Sequence, residues 1–169
     1  MSIFAQLFTA IMLGGAAYTD VRYKKVYNLW LLFWMAAGIY ICGIKFLPPM
    51  AVTLAVLFIF HVLGMIGAGD IKLISLVFAY LGFKDGFIVA AAGMIFAAVY
   101  AFYKLYTSGI LFDRLMYFKN YLIYTFKNNS INKYYDINKD NKNLALPLSP
   151  FILTGFLIWR LYSLCSMVI

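Results

Sequence analysis

Long apolar runs separated by short polar clusters give this chain its pattern. Runs of about 20 residues match the thickness of a bilayer's hydrocarbon core when helical. Six are legible: 2–19, 28–45, 50–66, 70–83, 86–104 and 148–168. The pattern predicts an all-α membrane protein, a six-transmembrane-helix bundle forming one domain over 1–169. Pro48 and Pro49 suit the first turn of the third helix. The fourth run is short, and Lys84-Asp85-Gly86 reads as a tight connection to the fifth. One sizeable hydrophilic segment, 105–146, precedes the last helix. Its first half, ILFDRLMYFKNYLIYTFK, mixes aromatic and charged residues as a helix in the headgroup plane does. Its second half, NNSINKYYDINKDNKN, reads as a loop. No internal repeat is evident.

Composition strengthens the membrane reading. Of the 169 residues 65% are hydrophobic and 12% charged, and the mean hydropathy is +0.87. A soluble domain is nearer half apolar. The net charge of +8 first raises nucleic acid as a partner. The basic residues lie in short loops beside apolar runs, however, which assigns them to topology and to anionic lipid. Eleven of them (Arg22, Lys24, Lys25, Lys72 and the seven from Lys104 to Lys142) fall on one side and two, Lys45 and Lys84, on the other. The expected orientation has both termini outside and the basic side in the cytoplasm. Arg160, well inside the last run, fits neither group. The first run lacks a basic leader of its own, so a retained first helix is expected rather than a cleaved signal peptide. Cys42 and Cys165 are far apart in apolar runs and read as small hydrophobes, with no metal site expected.

Every acidic residue is Asp, and two of the six stand out. Asp70 interrupts an apolar stretch, where a charge costs about 2.5–3.5 kcal/mol on insertion scales. Asp20 closes the first run in the same way. Both fall at the cytoplasmic end of a predicted span, at matched depth. Asp85 falls on the outer side, and Asp113, Asp136 and Asp140 lie in the hydrophilic segment. Two carboxylates held together cannot both ionise easily, so near neutral pH such a pair shares one proton. The ionised member can take a proton from water while the protonated one hydrogen-bonds a substrate carbonyl, as in aspartic proteases. A blander account has each aspartate capping a helix or pairing with a basic neighbour, Asp20 with Arg22 and Asp70 with Lys72. Gly67 and Gly69 bracket Ala68 just before Asp70; glycine there opens the backbone to a second extended chain, or simply to close helix packing.

Three blocks together resemble the type IV prepilin peptidases, a branch of the GxGD membrane aspartyl proteases. Asp20-Val21-Arg22-Tyr23-Lys24-Lys25-Val26-Tyr27-Asn28 is similar to that family's Asp-x-Arg-xxx-Ile-Pro-Asn stretch, with Tyr27 departing from Pro. Gly67-Ala68-Gly69-Asp70-Ile71-Lys72-Leu73 matches the GxGDxKL block throughout. Pro147-Leu148-Ser149-Pro150-Phe151 resembles the Pro-Phe-Gly-Pro-Phe start of the last helix, with Leu148 and Ser149 departing. The resemblance implies a plasma-membrane endopeptidase of bacterial type that removes the basic leader of prepilin-like precursors at the cytoplasmic face. It implies Asp20 and Asp70 as the catalytic dyad, without assigning which holds the proton. Arg22, Asn28, Lys72, Gly67, Gly69, Pro147 and Pro150 are implied as substrate-binding or site-shaping residues, and no cofactor is needed. The paired-cysteine domain that accompanies N-methyltransferase activity in longer relatives has no counterpart here, so methylation is not expected. The compact form looks more like the small peptidases of tight-adherence and Gram-positive pilus systems.

Other features carry less. His61 reads as a hydrogen-bonded interior residue. Asp136, Asn138 and Asp140 mimic the start of a calcium loop, but Asn141 and Pro147 stand where Gly and Glu are required. Asn128-Asn129-Ser130 is a sequon on the expected cytoplasmic side. Rival functions are a proton- or cation-coupled transporter, whose related halves and midplane charges this chain lacks, and a non-catalytic pilus assembly subunit.

Overall fold

The computed structural model describes residues 3–63, 65–109 and 146–168, together with 112, 116, 119, 120 and 123. Among them all regular structure is helical: α1 (Ile3–Tyr23), α2 (Asn28–Cys42), a 3-10 turn (Gly43–Phe46), α3 (Leu47–Val62), α4 (Ala68–Thr107) and α5 (Ser149–Val168). Most of 105–146, with its expected headgroup-plane helix and loop, lies outside the described residues.

Several boundaries differ from those expected. α1 continues past Asp20, because nothing breaks it until Lys24, whose φ of 53° ends the helix in the left-handed region. The Lys24 amide still closes onto the Asp20 carbonyl at 2.9 Å. Asp20 therefore sits on the last turn and not beyond it. α3 begins at Leu47 with the two prolines in its first turn, where missing N–H groups cost nothing.

The connection expected at 84–86 instead lies at Gly82. Helical hydrogen bonding resumes on both sides, but Gly82 has φ 80° and ψ 174°, a conformation essentially confined to glycine. The chain folds back there. A Cβ on Gly86 would lie 2.9 Å from Phe78 Cα, whereas eight residues of straight helix span about 12 Å. α4 is thus a hairpin with a first arm, 68–81, and a second arm, 83–107.

Side-chain contacts orient the helices. The Trp30 indole donates to the Met12 carbonyl at 3.1 Å, joining α1 to α2. Lys72 Nζ to Asn28 Oδ1 (3.0 Å) and Tyr80 Oη to the Trp34 carbonyl (2.6 Å) run α2 parallel to the first arm. α5 runs antiparallel to the second arm. A Cβ on Gly93 would meet Ile152 Cα at 2.8 Å, one on Gly155 would meet the Val89 carbonyl at 2.5 Å, and Trp159 reaches Asp85. The core is drawn from α1, both arms and α5, joined by Leu31 and Trp34 of α2 and Phe46 of the 3-10 turn, with Met12, Leu13, Phe46, Leu73, Ile74, Val77, Val89 and Ile152 fully buried.

The outer face is apolar, with Leu29, Tyr40, Ile44, Ile95 and Val99 all exposed. Asn28–Val62 (35 residues) and Ala68–Thr107 (40 residues) are the two stretches of the described residues long and apolar enough to cross a membrane. Only 11% and 22% of their most apolar windows are buried, unlike the core helix of a soluble protein. Six separate spans were expected, and this coarser result is what length and composition support. α1 and α5 carry more polar residues, including Gln6, Thr9 and Thr19 on one and Arg160, Ser163 and Ser166 on the other.

Candidate active site

Asp20 is buried, 6% exposed, on the last turn of α1. Its Oδ2 accepts a hydrogen bond from the Ser149 backbone amide at 3.1 Å. Ser149 is the first residue of α5, and the Phe151 and Ile152 amides already close onto the Leu148 carbonyl. The first amides of a helix have no partner within it and carry the positive end of its dipole. Asp20 supplies that partner from another helix, and Pro150, lacking an N–H, leaves one fewer amide to satisfy. The carboxylate is thereby fixed in position.

Asp70 lies half-buried in the first turn of α4. Gly67 is the N-cap, so Asp70 stands three residues in, where a carboxylate reaches back to the N-cap amide; the Gly67 amide makes that contact. A Cβ on Gly67 would lie 2.9 Å from Asp70 Oδ2, so the glycine leaves the space that the carboxylate occupies. Asp20 is near enough to act electrostatically on Asp70, and the Lys72–Asn28 bond holds the start of α4 against the start of α2.

Of the blander account, the pairings with basic neighbours are not formed, whereas both carboxylates do accept from an amide at a helix start. Arg22 donates to the Tyr18 hydroxyl at 2.7 Å and lies over the Tyr18 and Tyr23 rings, turned from Asp20. Lys72 donates to Asn28 and not to Asp70. That bond instead joins the first sequence block to the second. Gly69 faces the α1–α2 connection, where a Cβ would lie 3.4 Å from Val26 Cβ. Gly67 and Ala68 are exposed, leaving the backbone before Asp70 accessible. Pro147 and Pro150 flank Ser149 and fix where α5 starts.

Ser149 is the residue that sequence reasoning passed over, noting it only as a departure from the family pattern. It is fully buried and its Oγ has no hydrogen-bond partner. The bracketing prolines mark a helix start, but the amide's partner 129 residues away has no local signal. His61, read as an interior residue, closes the turn before α4, its Nδ1 donating to the Ile66 carbonyl at 3.1 Å. Cys42 is half-buried and Cys165 exposed, and both are free. Among the described residues no three His, Cys or Asp side chains gather as a metal-binding group.

Chemically, the site offers two carboxylates of unequal surroundings beside an open backbone edge. Comparison with family models, curated proteins and solved structures finds no match to this chain.

Proposed function

We propose that this chain is a membrane aspartyl endopeptidase of the type IV prepilin peptidase kind. The observation that carries the reading is the meeting of three sequence blocks: Lys72 of the second donates to Asn28 of the first, and the start of α5 holds Asp20. An aspartate kept only as a helix cap needs no second carboxylate beside it.

In the proposed reaction the ionised aspartate takes a proton from water, and the resulting hydroxide adds to the scissile carbonyl. The protonated aspartate hydrogen-bonds that carbonyl oxygen, and collapse of the intermediate expels the amine with a proton from the pair. Each turnover adds one water across one peptide bond, so no cofactor enters. The substrate is the junction between a basic leader and an apolar helix in a prepilin-like precursor. Extended there, it lies along the open Gly67–Gly69 backbone.

Six crossings of a plasma membrane complete the reading: α1, α2, α3, the two arms of α4, and α5. The alternating directions of these segments support it, as does the gathering of basic residues on the aspartates' side. That side is proposed as cytoplasmic, facing anionic lipid.

The test is direct. The purified chain in liposomes is mixed with a synthetic prepilin, and the products are weighed by mass spectrometry. One leader peptide and one mature chain, differing from the precursor by a single water, are expected. An uncut precursor across prepilins of several pilus systems, with proton movement across the liposomes, favours the transporter instead.

A further inference from the structure

α2 and α3 both pack on the first arm of α4, and between them opens a cleft of about 230 Å³. Leu31 and Met35 of α2 form one wall, Met50 and Leu54 of α3 the other, and Leu76 of the first arm the floor. Leu32 and Leu54 at its edge are exposed on the apolar exterior, so in a bilayer the cleft is open to acyl chains. Asn28 and Lys72 stand at its polar end, at the starts of α2 and of the first arm. Met35 lies about 10 Å farther along α2. Asp70, two residues before Lys72, is about 200° around the same helix. The cleft and that aspartate therefore occupy nearly opposite faces of the first arm.

The polar groups of the lining are all of one kind. Ser75, 1% exposed, spends its hydroxyl on the Ile71 carbonyl at 2.8 Å. Asn28 Oδ1 accepts from Lys72 Nζ at 3.0 Å. That leaves an ammonium with two further N–H groups and the Asn28 amide N–H groups, both on exposed side chains. Among the described residues no carboxylate lines the cleft. Lys24 and Lys25, exposed just before α2, add positive charge on the same side. Donors and positive charge at one end, with apolar walls along the rest, complement an amphiphile with an anionic head.

We propose that this cleft binds an anionic phospholipid of the leaflet on the aspartates' side. Its phosphate meets Lys72 and Asn28, and one acyl chain lies between α2 and α3. A zwitterionic headgroup would bring an ammonium toward Lys72, where like charges repel and no carboxylate receives it. The inference rests on the membrane-spanning part of the proposed function. It goes beyond a general attraction of basic loops to anionic lipid by naming one site and its walls.

The test is native mass spectrometry of the full chain released from liposomes holding equal phosphatidylglycerol, phosphatidylcholine and phosphatidylethanolamine. Retention of phosphatidylglycerol about tenfold over either of the others is expected, the factor that one charge-assisted hydrogen bond gives. Lys72→Gln removes the charge and Leu54→Trp fills the cleft from its exposed edge; each should erase the preference. Lys72→Arg and Lys25→Gln should keep it. Equal retention of the three lipids overturns the proposal. So does an equal fall in Lys72→Gln and Lys25→Gln, the mark of diffuse attraction to a basic surface. Neither inorganic phosphate nor a synthetic prepilin should displace the lipid. Full displacement by phosphate assigns the cleft to a free anion, and by the prepilin to the substrate; either overturns the lipid assignment. The readout is lipid mass, so a failed peptidase assay leaves a positive result standing. A chain that never enters the liposomes overturns the membrane reading and this site together.

Discussion

The Ser149 amide donates to Asp20 Oδ2 across 3.1 Å, joining the start of the last helix to the end of the first. A helix that needs an acceptor for its first amide thus doubles as the clamp for a candidate catalytic carboxylate. The clamp uses main chain, so it tolerates the loss of the serine side chain.

This separates two substitutions at one position. Ser149→Ala removes a buried hydroxyl that has no partner and should leave cleavage intact while stabilising the fold by about 1 kcal/mol. Ser149→Pro keeps a residue suited to the first helical turn but deletes the amide. It should destabilise by about 1.5–3 kcal/mol, the worth of a hydrogen bond to a charged group, and lower cleavage. Thermal unfolding in detergent beside a cleavage assay distinguishes the two.

Gly67→Ala should act through Asp70. The added methyl would lie 2.9 Å from Asp70 Oδ2, and the carboxylate, at the free end of a side chain, gives way more readily than the backbone. The fold should survive while the turnover number falls about 10²-fold, the penalty of roughly 1 Å of misplacement. Unchanged turnover would mean that Asp70 need not occupy its present position.

Gly155→Ala should act through the fold. Its Cβ would meet the Val89 carbonyl at 2.5 Å and the Gly93 amide nitrogen at 2.7 Å, both backbone atoms of the second arm. Overpacking of this kind costs about 1–3 kcal/mol or more. Thermal unfolding should show a lowered midpoint, and cleavage should fall with it, because α5 carries the Ser149 clamp.

The two aspartates were legible in the sequence because a charge in an apolar run stands out and its depth follows from counting residues. The hairpin was legible too, but its turn was displaced from 84–86 to 82. Lys84, Asp85 and Gly86 have turn-forming character, yet only Gly82 adopts the required dihedrals, and dihedral demand leaves no trace in hydropathy. The partners of Arg22 and Lys72 were not legible. Sequence neighbours suggested the aspartates, whereas helical geometry carries Arg22 back one turn to Tyr18 and Lys72 across to Asn28. The Trp159–Asp85 contact depends on α5 packing against the second arm of α4, which no local pattern encodes.

The Asn28–Lys72 bond should be worth little. Both side chains are exposed, so solvent screens the interaction, and a double-mutant cycle of Asn28→Ala and Lys72→Ala should give a coupling of about 0.2–1 kcal/mol. A coupling above that range would show that the bond organises the site instead of decorating its rim.

In the proposed mechanism Asp20 and Asp70 act as one unit. Prepilin cleavage rates of Asp20→Asn, Asp70→Asn and the double variant, each shown to be folded by thermal unfolding, decide whether they do. Groups that act as a unit lose nearly everything on the first removal, so each single variant should fall by about 10⁴-fold or more and the double variant should fall no further. A single variant that cleaves at the wild-type rate, or losses that multiply in the double variant, would contradict the dyad.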